Sequence, residues 1–369
     1  MLKIVFIAPF DSPHIRRWFD YFDKNTSVDA HLLIASDLFN DKSLWSKGKA
    51  LFTLRRKLIH TIKEMNPDIV NLHTLLFPNY AITKHVKSKI VITPWNGDVL
   101  WYKYGKELLI LKYFNRIAEY IKENQIKKSL NQANLVTCNS LEMEKRVLSL
   151  LDKNIPTARV QVPGIYSDVW TKVDEGEKLI IRKELNLPTD AFIVFSPRSL
   201  ASFYNIDIII RAFHIALQKD NRLILVVKYL ASNNLFELQN MVNDLDLQDK
   251  VIFVGKIDYV DVVRYFQVSD LCISISSKDS SPQSVVESLS CKTPVIAGDI
   301  PVLHELIQDG HNGFIVPCRD PQILAEKIVY VKQNKELMNQ LAQNGRKTVL
   351  DHHDHYVNMS KMLNLFKAL

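Results

Sequence analysis

Glycine is scarce: ten in 369 residues. No G-x-G-x-x-G follows the first apolar run of either half, and no Walker pattern occurs, so NAD-type and P-loop chemistry find no support. Cysteine is scarcer still. Cys138, Cys272, Cys291 and Cys318 are scattered without a C-x-x-C pair, which argues against a disulfide scaffold and against structural zinc, and fits a reducing cytoplasm. No apolar run reaches the roughly 18 residues that a membrane-crossing helix needs. The opening run, residues 1–9, is short and has no cleavage site, so it reads as a strand and not as a signal peptide. Internal repeats, low-complexity tracts and recognised nucleic-acid-reading modules are absent as well. What is present is an ordinary globular balance, 47% hydrophobic and 24% charged, in a length that suits two domains.

Charge divides the chain. Residues 1–165 hold 25 Lys and Arg against 15 Asp and Glu, a net +10, whereas the remainder holds 22 against 25, a net −3. Chance drift between domains accounts for such a difference. So does a first half that meets something anionic, such as a membrane surface, a phosphorylated lipid or an acidic glycan.

Short β-branched runs alternate with longer amphipathic stretches. Strands are expected over 3–8, 31–35, 68–72, 90–93 and 135–137, with a helix over 16–22 after the first. The cycle restarts after residue 170, with strands over 192–196, 223–227, 251–254, 271–274 and 293–297 and a helix over 206–218. Continuous apolar strands followed by helices imply parallel sheets covered on both faces, and two such series imply two doubly wound α/β domains of Rossmann type. A strand over 159–162 ends in the breaker Pro163-Gly164, which sets the boundary: residues 1–165 form one domain and 166–345 a second. Residues 346–369, with apolar positions near helical spacing, are expected to form a helix that crosses back to the first. Ligands of such sheets sit beyond the carboxyl ends of the strands, so the site belongs in a cleft between facing domains.

The chemistry concentrates at 274–305. The strand ending at Ser274 leads through Ser276-Ser277-Lys278-Asp279-Ser280-Ser281-Pro282-Gln283 into a helix over 284–291. Ser281 is read as the N-cap, with Pro282 at the first helical position. The amides of Gln283, Ser284 and Val285 then present the positive end of the helix dipole, an anion site suited to a diphosphate. Glu287, one turn in, suits two hydroxyls of a ribose, and Asp279 in the loop is free to meet a sugar. The same residues also describe an ordinary capped helix with a solvated glutamate.

Asp279 and Glu287, spaced as E-x7-E and followed by Ser288-Leu289-Ser290-Cys291-Lys292-Thr293-Pro294-Val295-Ile296-Ala297, resemble the signature of the family 4 retaining glycosyltransferases with the GT-B fold. The likeness continues through Asp309-Gly310-His311-Asn312-Gly313-Phe314-Ile315-Val316, Val251-Ile252-Phe253-Val254-Gly255 and Val268-Ser269-Asp270-Leu271. Upstream, Ser196-Pro197-Arg198 with Tyr204-Asn205-Ile206-Asp207 resembles the family's phosphate-binding loop and the helix after it. The first domain is similar more loosely, at Pro67–His73, Thr93-Pro94-Trp95-Asn96-Gly97-Asp98 and Asn134–Ser140.

The resemblance implies a donor site in the second domain and an acceptor site in the first. Glu287 would bind the donor ribose, Asp279 the donor sugar hydroxyls and Arg198 the diphosphate, as a charge-assisted donor. Stabilising the departing nucleoside diphosphate, for instance from a UDP- or GDP-sugar, would fall to fixed dipoles and a cation, with no metal and no other cofactor. No protein nucleophile is implied. The chain departs from the pattern in four places: Asp279 stands for Glu, Pro282 for Gly, Tyr204 for the usual Lys, and Val227-Lys228-Tyr229-Leu230 for a glycine pair. Lys228 is positioned to supply the missing cation.

On the acceptor side, the loop Asp11-Ser12-Pro13-His14-Ile15-Arg16-Arg17-Trp18 brings His14 and Arg16 or Arg17 toward an acceptor phosphate or the donor diphosphate, although Ser12 as N-cap with Pro13 behind it needs no function. Asp98 is placed to take a hydroxyl proton or bind sugar, or is a turn aspartate after Gly97. His73 is an acceptor contact or a histidine at the core edge. Residues 101–130 mix aromatics with seven basic and three acidic residues, as an interfacial helix does, or as a helix packed on its own sheet does. Lys47, Lys49, Arg55, Arg56 and Lys57 add a second basic cluster. A glycan or polyisoprenyl-linked acceptor at the inner face of the cell membrane would account for both. Two other readings stay open: a GT-B chain without catalysis that binds an acceptor for another transferase, and a nucleotide-sugar epimerase, against which the Asp279–Glu287 spacing argues.

Overall fold

The structure, a computed structural model, describes residues 1–38, 48–75, 79–95, 120–121, 123–161, 164–229, 234–279 and 282–369, apart from the side chains of 13, 48–52 and 79–81. Chain contacts divide it into two units, Met1–Gly164 with Tyr356–Leu369 and Ile165–His355.

The first unit holds strands β1 (Leu2–Ala8), β2 (Val28–Ile34), β3 (Ile69–His73), β4 (Lys89–Thr93), β5 (Leu135–Cys138) and β6 (Thr157–Arg159), in the order β2-β1-β3-β4-β5-β6. The second holds β7 (Phe192–Ser196), β8 (Leu223–Lys228), β9 (Val251–Val254), β10 (Leu271–Ser274), β11 (Val295–Gly298) and β12 (Phe314–Val316), in the order β12-β11-β10-β7-β8-β9. Every pairing is parallel. The apolar runs follow from burial on both faces: along β1, Val5 and Ile7 enter one core with Leu54, Leu58 and Val70, while Ile4, Phe6 and Ala8 enter the other with Trp18 and Phe22. Along β7, Val194 enters one core and Ile193 and Phe195 the other.

Strand order reverses between β1 and β3 in the first sheet and between β7 and β10 in the second. At such a reversal the connections leave on opposite sides, and a crevice opens at the carboxyl ends of the two strands.

Three of the expected boundaries that move are set by neighbouring elements. The strand expected over 159–162 is β6, Thr157–Arg159, because its partner β5 ends at Cys138, which pairs with Arg159. The strand expected from Thr293 begins at Val295: the Thr293 hydroxyl is turned to the Phe266 carbonyl at 2.7 Å and its amide to the Ser288 carbonyl at 3.0 Å. The segment 346–369 is two helices, not one. Lys335–His352 stays with the second unit, where Gly345 faces Leu289 so closely that a Cβ would lie 2.6 Å from its Cδ2. Arg346 ties it further, donating to the carbonyls of Trp170 at 2.7 Å, Ser290 at 2.9 Å and Ser167 at 2.6 Å. The last helix, His355–Lys367, lays Met359, Met362, Leu363 and Phe366 against the first unit's core, with Phe366 at 5.4 Å from Phe22 and 6.1 Å from Phe6 between ring centroids.

Candidate functional site

The carboxyl ends of β7 and β10 gather the charged residues of the second unit. Two residues beyond β7, Arg198 lies with its guanidinium 4.2 Å from the centroid of the Tyr204 ring, a cation–π stack that fixes its plane. In that plane Nη1 donates to Ser284 Oγ at 2.9 Å and Nη2 to Asp279 Oδ2 at 2.5 Å. Both charges are largely shielded from solvent, with side-chain exposures of 13% and 7%. Arg198, Tyr204, Asp279 and Ser284 are thus one assembly, in which two of the guanidinium's five N–H groups are engaged.

The loop that carries Asp279 is held from below. Asn205, 1% exposed and in the left-handed region at φ 54°, donates through Nδ2 to the Ile275 carbonyl at 2.7 Å and to Ser277 Oγ at 2.8 Å. The amide of Ser277 adds a bond to the Phe203 carbonyl at 2.7 Å. Asparagine tolerates this backbone region better than other residues with a β-carbon, which suits it to join the turn Ser202–Tyr204 to the helix Ile206–Leu217.

The helix Gln283–Ser290 starts one residue earlier than the spacing suggests. Pro282 occupies the cap position, and its carbonyl accepts from the amides of Val285 at 2.9 Å and Val286 at 3.3 Å. The reading with Pro282 inside the first turn is corrected accordingly, and Val285 has no amide left for an anion. Ser281 lies outside the described residues. Gln283 opens the helix, and the Ser284 hydroxyl is occupied by Arg198.

Glu287 is on the buried side of this helix, 7% exposed, and Tyr259 donates its hydroxyl to Oε1 at 3.1 Å. The Tyr259 ring packs on Trp170 with centroids 5.3 Å apart. Lys228, the last residue of β8, is 8% exposed and senses both Glu287 and Arg198. Burial holds its ammonium below the ordinary lysine pKa, with the Arg198 charge in the same direction and Glu287 opposing. Among the described residues no group of three or more His, Cys, Asp and Glu is arranged to hold a metal ion.

Residues proposed for the first unit fall at its own strand reversal. Ser12 caps the helix Pro13–Asp23, its Oγ accepting from the Ile15 amide at 3.3 Å. His14 Nδ1 lies 3.4 Å from Arg17 Nη2, and Arg17 Nη1 donates to the Gly164 carbonyl at 3.3 Å. Arg16 turns instead to Asp11, at 2.8 Å. His73, at the end of β3, is 1% exposed, with its ring 4.7 Å from Trp18 and 6.0 Å from Phe6. It therefore has no face open to a solute. Burial pushes His14 down to about 4, with Arg17 adding to it, and His73 to about 3. Asp98 lies outside the described residues.

The interfacial reading of 101–130 is only partly described, since 101–119 and 122 lie outside. Beyond them Ile126 and Leu130 are core residues, whereas Tyr120 and Ile121 are exposed. In the second basic cluster, Arg55 contacts His85 at 3.1 Å and Lys57 donates to the Leu38 carbonyl at 3.3 Å. Lys47 lies outside the described residues. Among the described residues no helix is long and apolar enough to cross a membrane.

Two residues escaped the sequence reading. Asn205 had a signal, an asparagine directly before an apolar helix, although its bonds run to a loop 70 residues away. Tyr259 had none.

Residues 177–348 match the family model described as glycosyl transferases group 1. Over 341 residues the chain is 23% identical to the N-acetyl-alpha-D-glucosaminyl L-malate synthase of Bacillus anthracis, covering 84% of this chain and 87% of that one. Over 203 residues it is 27% identical to the O-antigen biosynthesis glycosyltransferase WclY of Escherichia coli, 52% of this chain and 54% of that one, so it matches about half the length of that relative. The solved structure of Anabaena Alr3699/HepE in complex with UDP and glucose has the same fold, with a TM-score of 0.77 at 17% identity and full coverage of both chains. Two parallel six-stranded sheets, charged side chains at the β7/β10 reversal and the match over 177–348 lead to one assignment: the fold is that of the GT-B glycosyltransferase structures, and residues 177–348 match the glycosyl transferases group 1 family.

Proposed function

We propose that the protein moves a sugar from a nucleotide-diphospho-sugar to a glycan or lipid-linked acceptor, with retention of configuration, in the making of a surface polysaccharide or related glycan. One observation carries the reading: Arg198, Lys228, Asp279, Glu287 and the start of the helix Gln283–Ser290 converge at the strand reversal of the second sheet. The O-antigen transferase of Escherichia coli and the UDP and glucose complex of the Anabaena protein support the choice of substrate class.

In this reading Glu287 accepts hydrogen bonds from the ribose hydroxyls, and Asp279 accepts them from the donor sugar. As the anomeric C–O bond breaks, its electron pair passes to the diphosphate, and the cations at the site stabilise that charge without solvent reorganisation. We take these fixed charges to suffice, with no metal or other cofactor. The acceptor falls to the first unit, with His14 and Asp98 as its contacts.

Calorimetric titration with UDP, GDP, ADP, CMP and their sugar conjugates tests the reading. One nucleoside diphosphate is expected to bind preferentially, and Glu287→Ala should lose both binding and transfer while unfolding at the temperature of the parent. Full transfer activity in Glu287→Ala would sink the assignment of this site.

A further inference from the structure

A second cleft opens in the same unit at the amino ends of β10 and β11, the opposite end of the sheet from Arg198 and Glu287. Asp270 enters it just before β10 and Thr293 just before β11, and the helices Glu175–Glu184 and Lys335–His352 wall it with Lys178 and Met338. Its interior measures about 50 Å³. At roughly 10–15 Å³ for each water-sized group, that is room for one tetrahedral oxyanion and too little for a nucleotide. Three lysines line it, Lys172, Lys178 and Lys292, from three separate stretches of chain. Asp270 is the single carboxylate of the lining among the described residues, and both its oxygens are engaged: Oδ1 accepts from Lys178 at 2.6 Å, and Oδ2 from Arg182 at 2.8 Å and the Ile193 amide at 2.7 Å. Glu175 stays 4.0 Å from Lys178 and is largely exposed. Cations thus outnumber carboxylates here, although residues 166–369 carry a net charge of −3, with 22 Lys and Arg against 25 Asp and Glu.

Lysines in such a place commonly serve the carbonyls that end helices, but here other groups do so. At the end of the helix Tyr259–Val268, the Tyr265 carbonyl accepts from Ser269 Oγ, that of Phe266 from Thr293 Oγ1 and that of Val268 from Arg182. At the end of the helix Gln283–Ser290, the Ser288 carbonyl accepts from the Thr293 amide, that of Leu289 from the Lys292 amide and that of Ser290 from Arg346. Among the described residues, the ammonium groups of Lys172 and Lys292 have no hydrogen-bonded or ion-paired partner. Lys292 also stands at φ 55°, the left-handed position after a helix where glycine or asparagine is the usual choice, so the backbone does not call for a lysine there. We propose that the cleft is an anion site, separate from the donor site, which takes a phosphate-sized dianion, either the free ion or the terminal phosphate of a larger molecule. Lys172, Lys292 and the remaining N–H groups of Lys178 donate to its oxygens.

The experiment is calorimetric titration of the full-length protein with inorganic phosphate and with glycerol 3-phosphate, at fixed ionic strength and about pH 8, where both are dianions. The parent should bind phosphate, and Lys172→Met/Lys292→Met should weaken that binding about tenfold or more, the scale of one lost hydrogen bond to a charged group. Both side chains are exposed, so this variant should melt at the temperature of the parent. Lys172→Arg/Lys292→Arg should keep most of the affinity. Lys219→Met/Lys361→Met removes the same charge at exposed positions outside the cleft and should bind within about twofold of the parent. Binding of both ligands assigns the cleft to a terminal phosphate group, and binding of inorganic phosphate alone assigns it to the free ion. The proposal is overturned if the parent binds neither ligand, or if Lys172→Met/Lys292→Met binds as the parent does, which is the result expected were phosphate held only near Arg198. Equal weakening in the two methionine pairs overturns it as well, since general charge and not a site would then account for the binding.

Discussion

Gly298, the last residue of β11, sits where no side chain fits. A Cβ placed there would lie 2.7 Å from Cys318 Sγ and 3.0 Å from both the carbonyl carbon and the Cα of Ile275. Carbon atoms in comfortable contact stand about 3.5–4.0 Å apart, so Gly298→Ala requires the Ile275 backbone to retreat by roughly half an ångström or more. Ile275 is the point at which Asn205 grips the loop leading to Asp279, through a hydrogen bond of 2.7 Å. Overpacking of this kind costs about 1–3 kcal/mol. In a unit of this size each kcal/mol lowers the melting temperature by about 2–4 °C, so a fall of about 2–12 °C is expected. Donor turnover should drop by more than stability implies, since catalytic groups tolerate displacements of only about 0.5 Å. Differential scanning fluorimetry and initial rates on parent, Gly298→Ala and Gly298→Ala/Cys318→Ala separate the two contacts. Removing the thiol relieves the clash with sulfur, so the pair should regain some melting temperature but little turnover, because the Ile275 contact persists. A Gly298→Ala protein that melts and turns over like the parent would refute the claim that this approach positions the loop.

Tyr259→Phe deletes the hydroxyl that bonds Glu287 while keeping the ring on Trp170. Hydrogen bonds to charged groups are worth about 1.5–3 kcal/mol, and partial solvent access here reduces that to about 1–2, so affinity for the nucleoside diphosphate should weaken roughly five- to thirtyfold with little change in melting temperature; unaltered affinity would remove Tyr259 from the site. Asn205→Ala loses two hydrogen bonds and strains a left-handed backbone, for a total of about 2–4 kcal/mol, whereas Asn205→Gly escapes the strain, roughly 1–2 kcal/mol of it. Urea unfolding should therefore rank parent above Gly above Ala, and equal Gly and Ala values would show that strain contributes nothing. His73 ionises at about 3 in the folded chain against 6.5 when free; the unfolded state binds the proton first, so stability is lost as pH falls below 6.5. Between pH 7 and 5 this amounts to about 2 kcal/mol, and His73→Leu should flatten that part of the stability curve, which an unchanged slope would contradict.

How far the architecture was legible depended on which forces act at each residue. Strands buried on both faces announced their own limits: the runs at 192–196 and 271–274 are β7 and β10 without adjustment. Ser12 and Pro13 likewise carried the start of their helix in their own side chains. Where an end is decided by a distant partner, the reading slipped. β6 stops at Arg159 because β5 stops at Cys138, and β11 waits until Val295 because Thr293 is held by Phe266 and Ser288. The site divides along the same line. The spacing of Asp279 and Glu287 could be read, since both positions belong to one loop and the helix it enters. That Asp279 is engaged by Arg198, and Glu287 by Tyr259, could not, because those pairings span 81 and 28 residues. The first exists because β7 and β10 are neighbours at the reversal of strand order, and the second because the helix Tyr259–Val268 packs beside the helix Gln283–Ser290. A motif's spacing thus records where along an element a charge is presented, while topology decides whether that charge meets a ligand or a neighbour. Arg198 is the case in point: its position after β7 reads as a phosphate ligand, and its place beside β10 adds a pairing with Asp279 that spacing alone does not announce.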